Sequence, residues 1–121
     1  MKNGKVITVE AKADKVPSSN IFFETISDIE KNTLGCMYKT EADYVFYYFI
    51  AFKELYILKR EPYVNWFKKE HLYLWGCRPK KVRNEAYDSN GFLYYYWTYG
   101  YIIPKKHIIE KDFCKIIKNF E

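Results

Sequence analysis

Glu10 and Lys12 stand two residues apart in the stretch Lys5-Val6-Ile7-Thr8-Val9-Glu10-Ala11-Lys12, and Glu24 closes a second apolar stretch, Asn20-Ile21-Phe22-Phe23-Glu24. Two acids and a lysine converging at a sheet edge would suit a divalent cation and an activated water. Hydrolysis of a phosphodiester needs a hard ion to polarise the phosphoryl group and lower the pKa of bound water. Mg²⁺ takes oxygen ligands and keeps several waters, so two or three carboxylates are enough. The plainer alternative for Glu10 and Lys12 is a solvent-exposed cross-strand ion pair, worth little in stability.

That chemistry requires particular elements. Side chains alternate along a strand, with residues two apart about 6.5–7 Å from one another on one face. Val6, Thr8, Glu10 and Lys12 share a face, and Ile7, Val9 and Ala11 share the other, which is expected to bury against a helix. The two stretches are expected to form a hairpin, with Phe22, Glu24 and Ile26 on one side of the return strand so that Glu24 meets Glu10 and Lys12 across it. Ala13 to Ser19 reads as the connecting loop, since Pro17-Ser18-Ser19 breaks pairing. Asp14, Lys15 and Ser18 then either flank the site or are ordinary solvated loop residues.

Glu10-Ala11-Lys12 matches the E-x-K half of the motif of the PD-(D/E)xK nuclease superfamily. The order Val9-Glu10-Ala11-Lys12-Ala13-Asp14-Lys15, Ser19-Asn20-Ile21-Phe22-Phe23-Glu24, Leu34-Gly35 and Lys39-Thr40-Glu41-Ala42-Asp43-Tyr44-Val45 resembles one phage and bacterial branch of it. The resemblance runs from about Lys5 to Pro104 and is most specific between Val9 and Asp43. It implies a single domain with a restriction-endonuclease-like core, shortened at its N-terminus, acting as an Mg²⁺- or Mn²⁺-dependent DNA endonuclease. Glu10 and the carbonyl of Ala11 would bind the metal, and Glu24 would add a ligand or orient a metal-bound water, with Asp43 behind them. Lys12 would position the water or stabilise charge on phosphate, while Lys15, Ser18 and Asn20 would contact the nucleic acid. The superfamily also carries a metal-binding Asp upstream of E-x-K, and residues 1–9 contain neither Asp nor Glu. Either the site is degenerate, another protomer supplies the acid, or Asp14, Glu24 or Asp43 stands in.

Composition sets the outer bounds. One domain of 121 residues, 49% hydrophobic and 29% charged, is long enough for a core and is not a disordered chain. Aromatics make up 21%, which favours strands. Net charge +5 is compatible with a polyanionic partner such as DNA. Cys36, Cys77 and Cys114 are widely spaced with no C-x-x-C pair, as expected of reduced thiols in the cytoplasm of a cell or of a virus-infected host. Met1-Lys2-Asn3-Gly4 does not read as a signal peptide, and no apolar run approaches membrane-spanning length.

The fold expected from the remaining residues is α+β, a mixed, largely antiparallel central sheet flanked by two helices. Thr40, with acids one and three positions later, looks like a helix start. Tyr44-Val45-Phe46-Tyr47-Tyr48-Phe49-Ile50 reads as a central strand buried on both faces, and Leu55 to Leu58 as its hairpin partner. A helix opens near Pro62, with Tyr63, Trp66, Phe67 and Glu70 at helical spacing. Arg78-Pro79-Lys80-Lys81-Val82-Arg83 is either a solvated connector or a segment that neutralises phosphates through Arg78, Lys80, Lys81 and Arg83. Asp88-Ser89-Asn90-Gly91 is a turn into the aromatic run Phe92 to Tyr99, broken by Gly100. One face of that run would pack on the core, and the other would stack on bases, dock a protein partner or form a homodimer. Pro104 is expected to open a last helix with Ile108, Ile109, Phe113, Ile116, Ile117 and Phe120 as its stripe. Two further roles stay open beside the enzyme: a non-catalytic nuclease-fold protein binding nucleic acid or a host-defence protein, as a phage-encoded inhibitor would, and a structural subunit.

Overall fold

Period-two runs of aromatic and β-branched residues commit about half of the described residues to strands. The computed structural model describes residues 6–15 and 20–120 and is α+β. Strands β1 (Val9–Asp14), β4 (Tyr44–Phe49), β5 (Glu54–Lys59) and β8 (Cys114–Lys118) form one sheet in the order β1-β4-β5-β8. Strands β2 (Asn20–Asp28), β3 (Thr33–Leu34), β6 (Arg78–Tyr87) and β7 (Leu93–Pro104) form another, in the order β3-β2-β7-β6. The expected single central sheet is thus two sheets. Two α-helices are present among the described residues, the single turn α1 (Cys36–Lys39) and the longer α2 (Arg60–Glu70).

The expected hairpin of the first two strands does not form. β1 pairs in parallel with β4, placing Glu10 beside Val45, Lys12 beside Tyr47 and Asp14 beside Phe49. Parallel neighbours need a long crossover, and here that crossover contains β2, β3 and α1. β2 pairs instead with β7, where Ile21 and Phe23 lie opposite Ile103 and Tyr101, a more apolar match than the charged strand β1 offers. The register also reverses the expected faces. Val45, Tyr47 and Phe49 point into the core, so Glu10, Lys12 and Asp14 point inward with them and are half-buried, while Ile7, Val9 and Ala11 are exposed rather than packed on a helix.

The helix α2 forms where the proline and the aromatic spacing placed it. Tyr63, Val64 and Phe67 are buried, Trp66 is half-buried, and Glu70 is exposed. The Phe67 ring stacks on Phe23 of β2, with centroids 3.7 Å apart and planes 5° from parallel. Tyr63 meets the same Phe23 ring edge-on at 5.3 Å. Val45, Phe49 and Leu58 from one sheet and Ile21, Phe23 and Ile103 from the other belong to this same core cluster. Burial of such side chains contributes about 1.5–3 kcal/mol each, so the shared core holds the sheets together.

No helix starts at Thr40; its hydroxyl accepts the Ala42 N–H at 3.2 Å in the loop before β4, whose outer face is half-buried rather than fully buried. No helix follows Pro104. A single 3-10 turn, Lys105–His107, leads on toward β8, whose Ile116 and Ile117 lie opposite Tyr56 and Leu55 of β5. β-Branched residues suit that edge position, and Ile108 alone drops fully into the core. In the 3-10 turn the Lys105 ammonium sits 3.8 Å from the Phe49 ring centroid and 3.4 Å from the Glu54 carboxylate. Gly100, finally, does not break β7. A Cβ there would collide with the Phe23 carbonyl and the Phe22 ring, so glycine permits the close approach of β2 and β7. Gly100→Ala is expected to lower the urea unfolding free energy by about 1–3 kcal/mol, the range for inserting an atom into filled space.

Candidate functional site

On β1 the inward face carries Glu10, Lys12 and Asp14, and on β2 Glu24 projects away from the Phe23 face of the core. Although the strands belong to different sheets, their charged groups meet. The Glu24 carboxylate accepts the Cys36 N–H at 2.8 Å, and Gly35 N–H donates to the Thr25 carbonyl at 2.8 Å, so β2 holds the start of α1 against itself. Gly35 makes this approach possible because a Cβ there would overlap the Glu24 carbonyl. The Lys12 ammonium hydrogen-bonds the Cys36 sulfur and interacts with both the Glu24 and Glu10 carboxylates. A cavity of about 170 Å³ opens beside them, lined by Lys12, Glu24, Cys36 and Tyr47 and walled by Phe22, Val45 and Tyr63. That volume admits several waters.

The electrostatics follow from half-burial. Burial opposes charge on Lys12, but the Cys36 sulfur and the Glu24 and Glu10 carboxylates outweigh it, and the ammonium pKa ends above its ordinary value. Burial pushes the Cys36 thiol up, only partly offset by Lys12. At neutral pH Cys36 is therefore a thiol, and the two carboxylates hold the lysine charged. The Tyr47 hydroxyl accepts the Phe22 N–H at 3.4 Å and hydrogen-bonds Asp14; burial, with Asp14 adding to it, pushes its pKa to about 12. What this arrangement can do is present the Lys12 ammonium and the Glu24 carboxylate to a small polar group in a partly apolar cavity, with the Glu10 carboxylate near the lysine.

The structure brings together Glu10, Lys12 and Glu24 as the sequence reading required, but from two sheets instead of one hairpin. Ala11 lies between them on the edge strand with its side chain outward. Asp43 is not gathered in. It sits two register steps before the Glu10–Val45 pair, where its carboxylate accepts the Thr8 N–H at 3.0 Å and the Thr8 hydroxyl at 3.3 Å. The sequence reading missed Cys36 and Tyr47 as members of the cluster, and no spacing signal in the chain connects either to Lys12. Of the residues expected to touch nucleic acid, Lys15 is exposed just past β1, and Ser18 lies outside the described residues. Asn20 and Arg78 line a separate cleft with Lys105 and Lys106, while Lys80, Lys81 and Arg83 continue along β6, which is a paired strand and not a connector.

Among the described residues no three His, Cys, Asp or Glu side chains gather in a group that could hold a metal ion. Mg²⁺ is commonly held by one or two carboxylates and draws its other ligands from water and substrate phosphate. The donor set is thus sparse, and it admits such an ion only with those additional oxygens. No helix among the described residues is long and apolar enough to cross a membrane. No family model, curated protein or solved structure matches the chain.

The raised pKa values fix the direction of two responses. For each such group the native state holds its proton more tightly than the unfolded chain, so stability is full below the unfolded pKa and is lost as pH rises through the folded one. Stability is expected to fall from about pH 9 to about pH 12, as Cys114 titrates at about 11 against 9.0 unfolded and Tyr47 and Tyr56 at about 12 against 10.0. Urea midpoints across that range check this. Alkylation of Cys36 by iodoacetamide, followed by mass spectrometry, is expected to be slower at pH 8 than that of a free thiol. It should slow further in Lys12→Met, because the ammonium favours the thiolate.

Proposed function

We propose that this chain is a metal-dependent nuclease of the PD-(D/E)xK kind, hydrolysing phosphodiester bonds in DNA with Glu10, Lys12 and Glu24 at its centre. The observation that carries the reading is that Lys12 of β1 and Glu24 of β2 line one cavity, with the Glu10 carboxylate near enough to interact with the Lys12 ammonium. Lys12 is charged well into the alkaline range and is aimed by the Cys36 sulfur and the two carboxylates, so it can donate to a phosphate oxygen as negative charge builds there. Glu24 is anchored by the Cys36 N–H, which leaves its second oxygen for a cation or a water. Glu10 supplies the other carboxylate. A bound Mg²⁺ or Mn²⁺ would polarise the phosphoryl group and acidify a water. Asp14, on the same strand face and hydrogen-bonded by Tyr47, is the nearest acid in register to replace the missing upstream Asp; a second protomer is the other source.

The sparse ligand set favours a second reading, a non-catalytic protein on a nuclease scaffold that binds nucleic acid or a host-defence protein. Nicking of supercoiled plasmid in Mg²⁺ or Mn²⁺ separates the two. Wild-type protein is expected to nick, and Lys12→Ala to lose about 10²–10³-fold in rate, the effect of removing one preorganised donor. Equal inertness of both proteins at high concentration would leave the binding reading alone.

A further inference from the structure

The hairpin of β6 and β7 outruns the rest of its sheet. β2 accompanies β7 from Pro104 back to Tyr99, whereas β6 stays paired with it as far as Leu93. Directly opposed residues of an antiparallel pair share a face. Lys81 and Tyr99, Arg83 and Trp97, Glu85 and Tyr95, and Tyr87 and Leu93 therefore make one continuous surface. Nearer the core the same face of β7 carries Tyr101, packed edge-on against Phe67 of α2 at 5.5 Å, and the fully buried Ile103. Beyond Tyr99 the face is uncovered: Trp97 is 44% exposed, Tyr95 50% and Tyr87 70%. Large aromatic side chains left open in a row call for a partner with flat apolar faces.

Charge narrows that partner. β6 holds Arg78, Lys80, Lys81 and Arg83 against the single acid Glu85, a net +3 on one strand of a chain whose total is +5. The Arg83 guanidinium lies 4.7 Å from the Tyr95 ring centroid, which pins a cation beside the exposed rings. A second copy of the chain would bring the same positive charge to the same face, whereas a polyanion is attracted along its length. Aromatic platforms interleaved with cations suit bases that are free to leave their own stack, and such stacking is sequence-tolerant because every base has a π-face. In a duplex those faces are already occupied.

We propose that the distal β6–β7 arm is a binding surface for single-stranded nucleic acid, with Trp97, Tyr95 and Tyr87 stacking on bases and Arg83 and Lys81 neutralising phosphates. The proposal extends the nucleic-acid reading above, but it needs no hydrolysis and uses none of Glu10, Lys12 or Glu24. Fluorescence anisotropy of the whole chain with labelled mixed-sequence single-stranded DNA, in EDTA, tests it without any catalytic step. Wild-type protein is expected to bind the single strand more tightly than a hairpin duplex of the same composition. The double variant Tyr95→Ala/Trp97→Ala should bind on the order of ten- to a hundredfold more weakly. The matching Tyr95→Phe/Trp97→Phe variant keeps a ring at each position, so its binding should persist and separate stacking from any loss of fold. Arg83→Ala should reduce the slope of log affinity against log salt by about 0.7. Wild-type affinity in the double alanine variant, or a preference for duplex, would overturn the proposal. So would a wild-type dimer in sedimentation that the double alanine variant abolishes while its DNA affinity is unchanged.

Discussion

A lysine ammonium pressed against the rim of an aromatic core has to be surrounded by groups that replace water. The parallel pairing of β1 with β4 creates that requirement, because it turns Lys12 inward at the level of Tyr47. Glu24, Cys36 and Glu10 meet the requirement for the ammonium, and Tyr47 does so for the neighbouring Asp14. Glu10 shares the strand with Lys12, but Glu24, Cys36 and Tyr47 lie far from it in the chain. Each is delivered by a different packing event: the return of β2 alongside β7, the close approach of Gly35 to the Glu24 backbone, and the register of β4. Among the described residues no buried side-chain polar atom lacks a partner, so the charged inner face of β1 is compatible with the core it borders.

The same packing divides the molecule by task. The sheet containing β1 and β4 contributes Glu10 and Lys12, while the sheet containing β2 and β7 contributes Glu24 and then runs outward as the aromatic arm. The Phe23–Phe67 stack clamps α2 across β2, and Tyr101 of β7 touches the edge of the same Phe67 ring. Where α2 stops, the strand face it covered does not change character; it merely loses its cover. A smaller aromatic at Phe67 would have loosened the only helix of more than one turn among the described residues.

Much of the local structure was legible in the residues themselves. Pro62 and the Tyr63–Phe67 spacing marked α2, Asp88 and Gly91 marked the turn before β7, and the aromatic runs marked β4 and β7. At the turn, the Asp88 carboxylate accepts the Asn90 N–H at 2.8 Å and the Phe92 N–H at 3.0 Å, and Gly91 takes a positive φ of 82°. These are interactions between near neighbours, and near neighbours are written in the sequence. The last apolar stripe was misread because isoleucines at mixed spacing satisfy a helix and a strand alike. The unpaired edge of β5 decided between them.

The sequence by itself determined that Glu10 and Lys12 share one strand face, since the alternation of side chains along a strand is a property of the backbone. It also determined that the chain carries excess positive charge and a surplus of aromatic rings. Only the tertiary structure decided which way that face points, that Glu24 reaches it from another sheet, that Cys36 and Tyr47 complete the cluster, and that Asp43 is held away by Thr8. Strand pairing joins residues tens of positions apart, and its choice among partners depends on how well whole apolar surfaces match. That match is made by the folded core and is not stored in any short stretch of the chain.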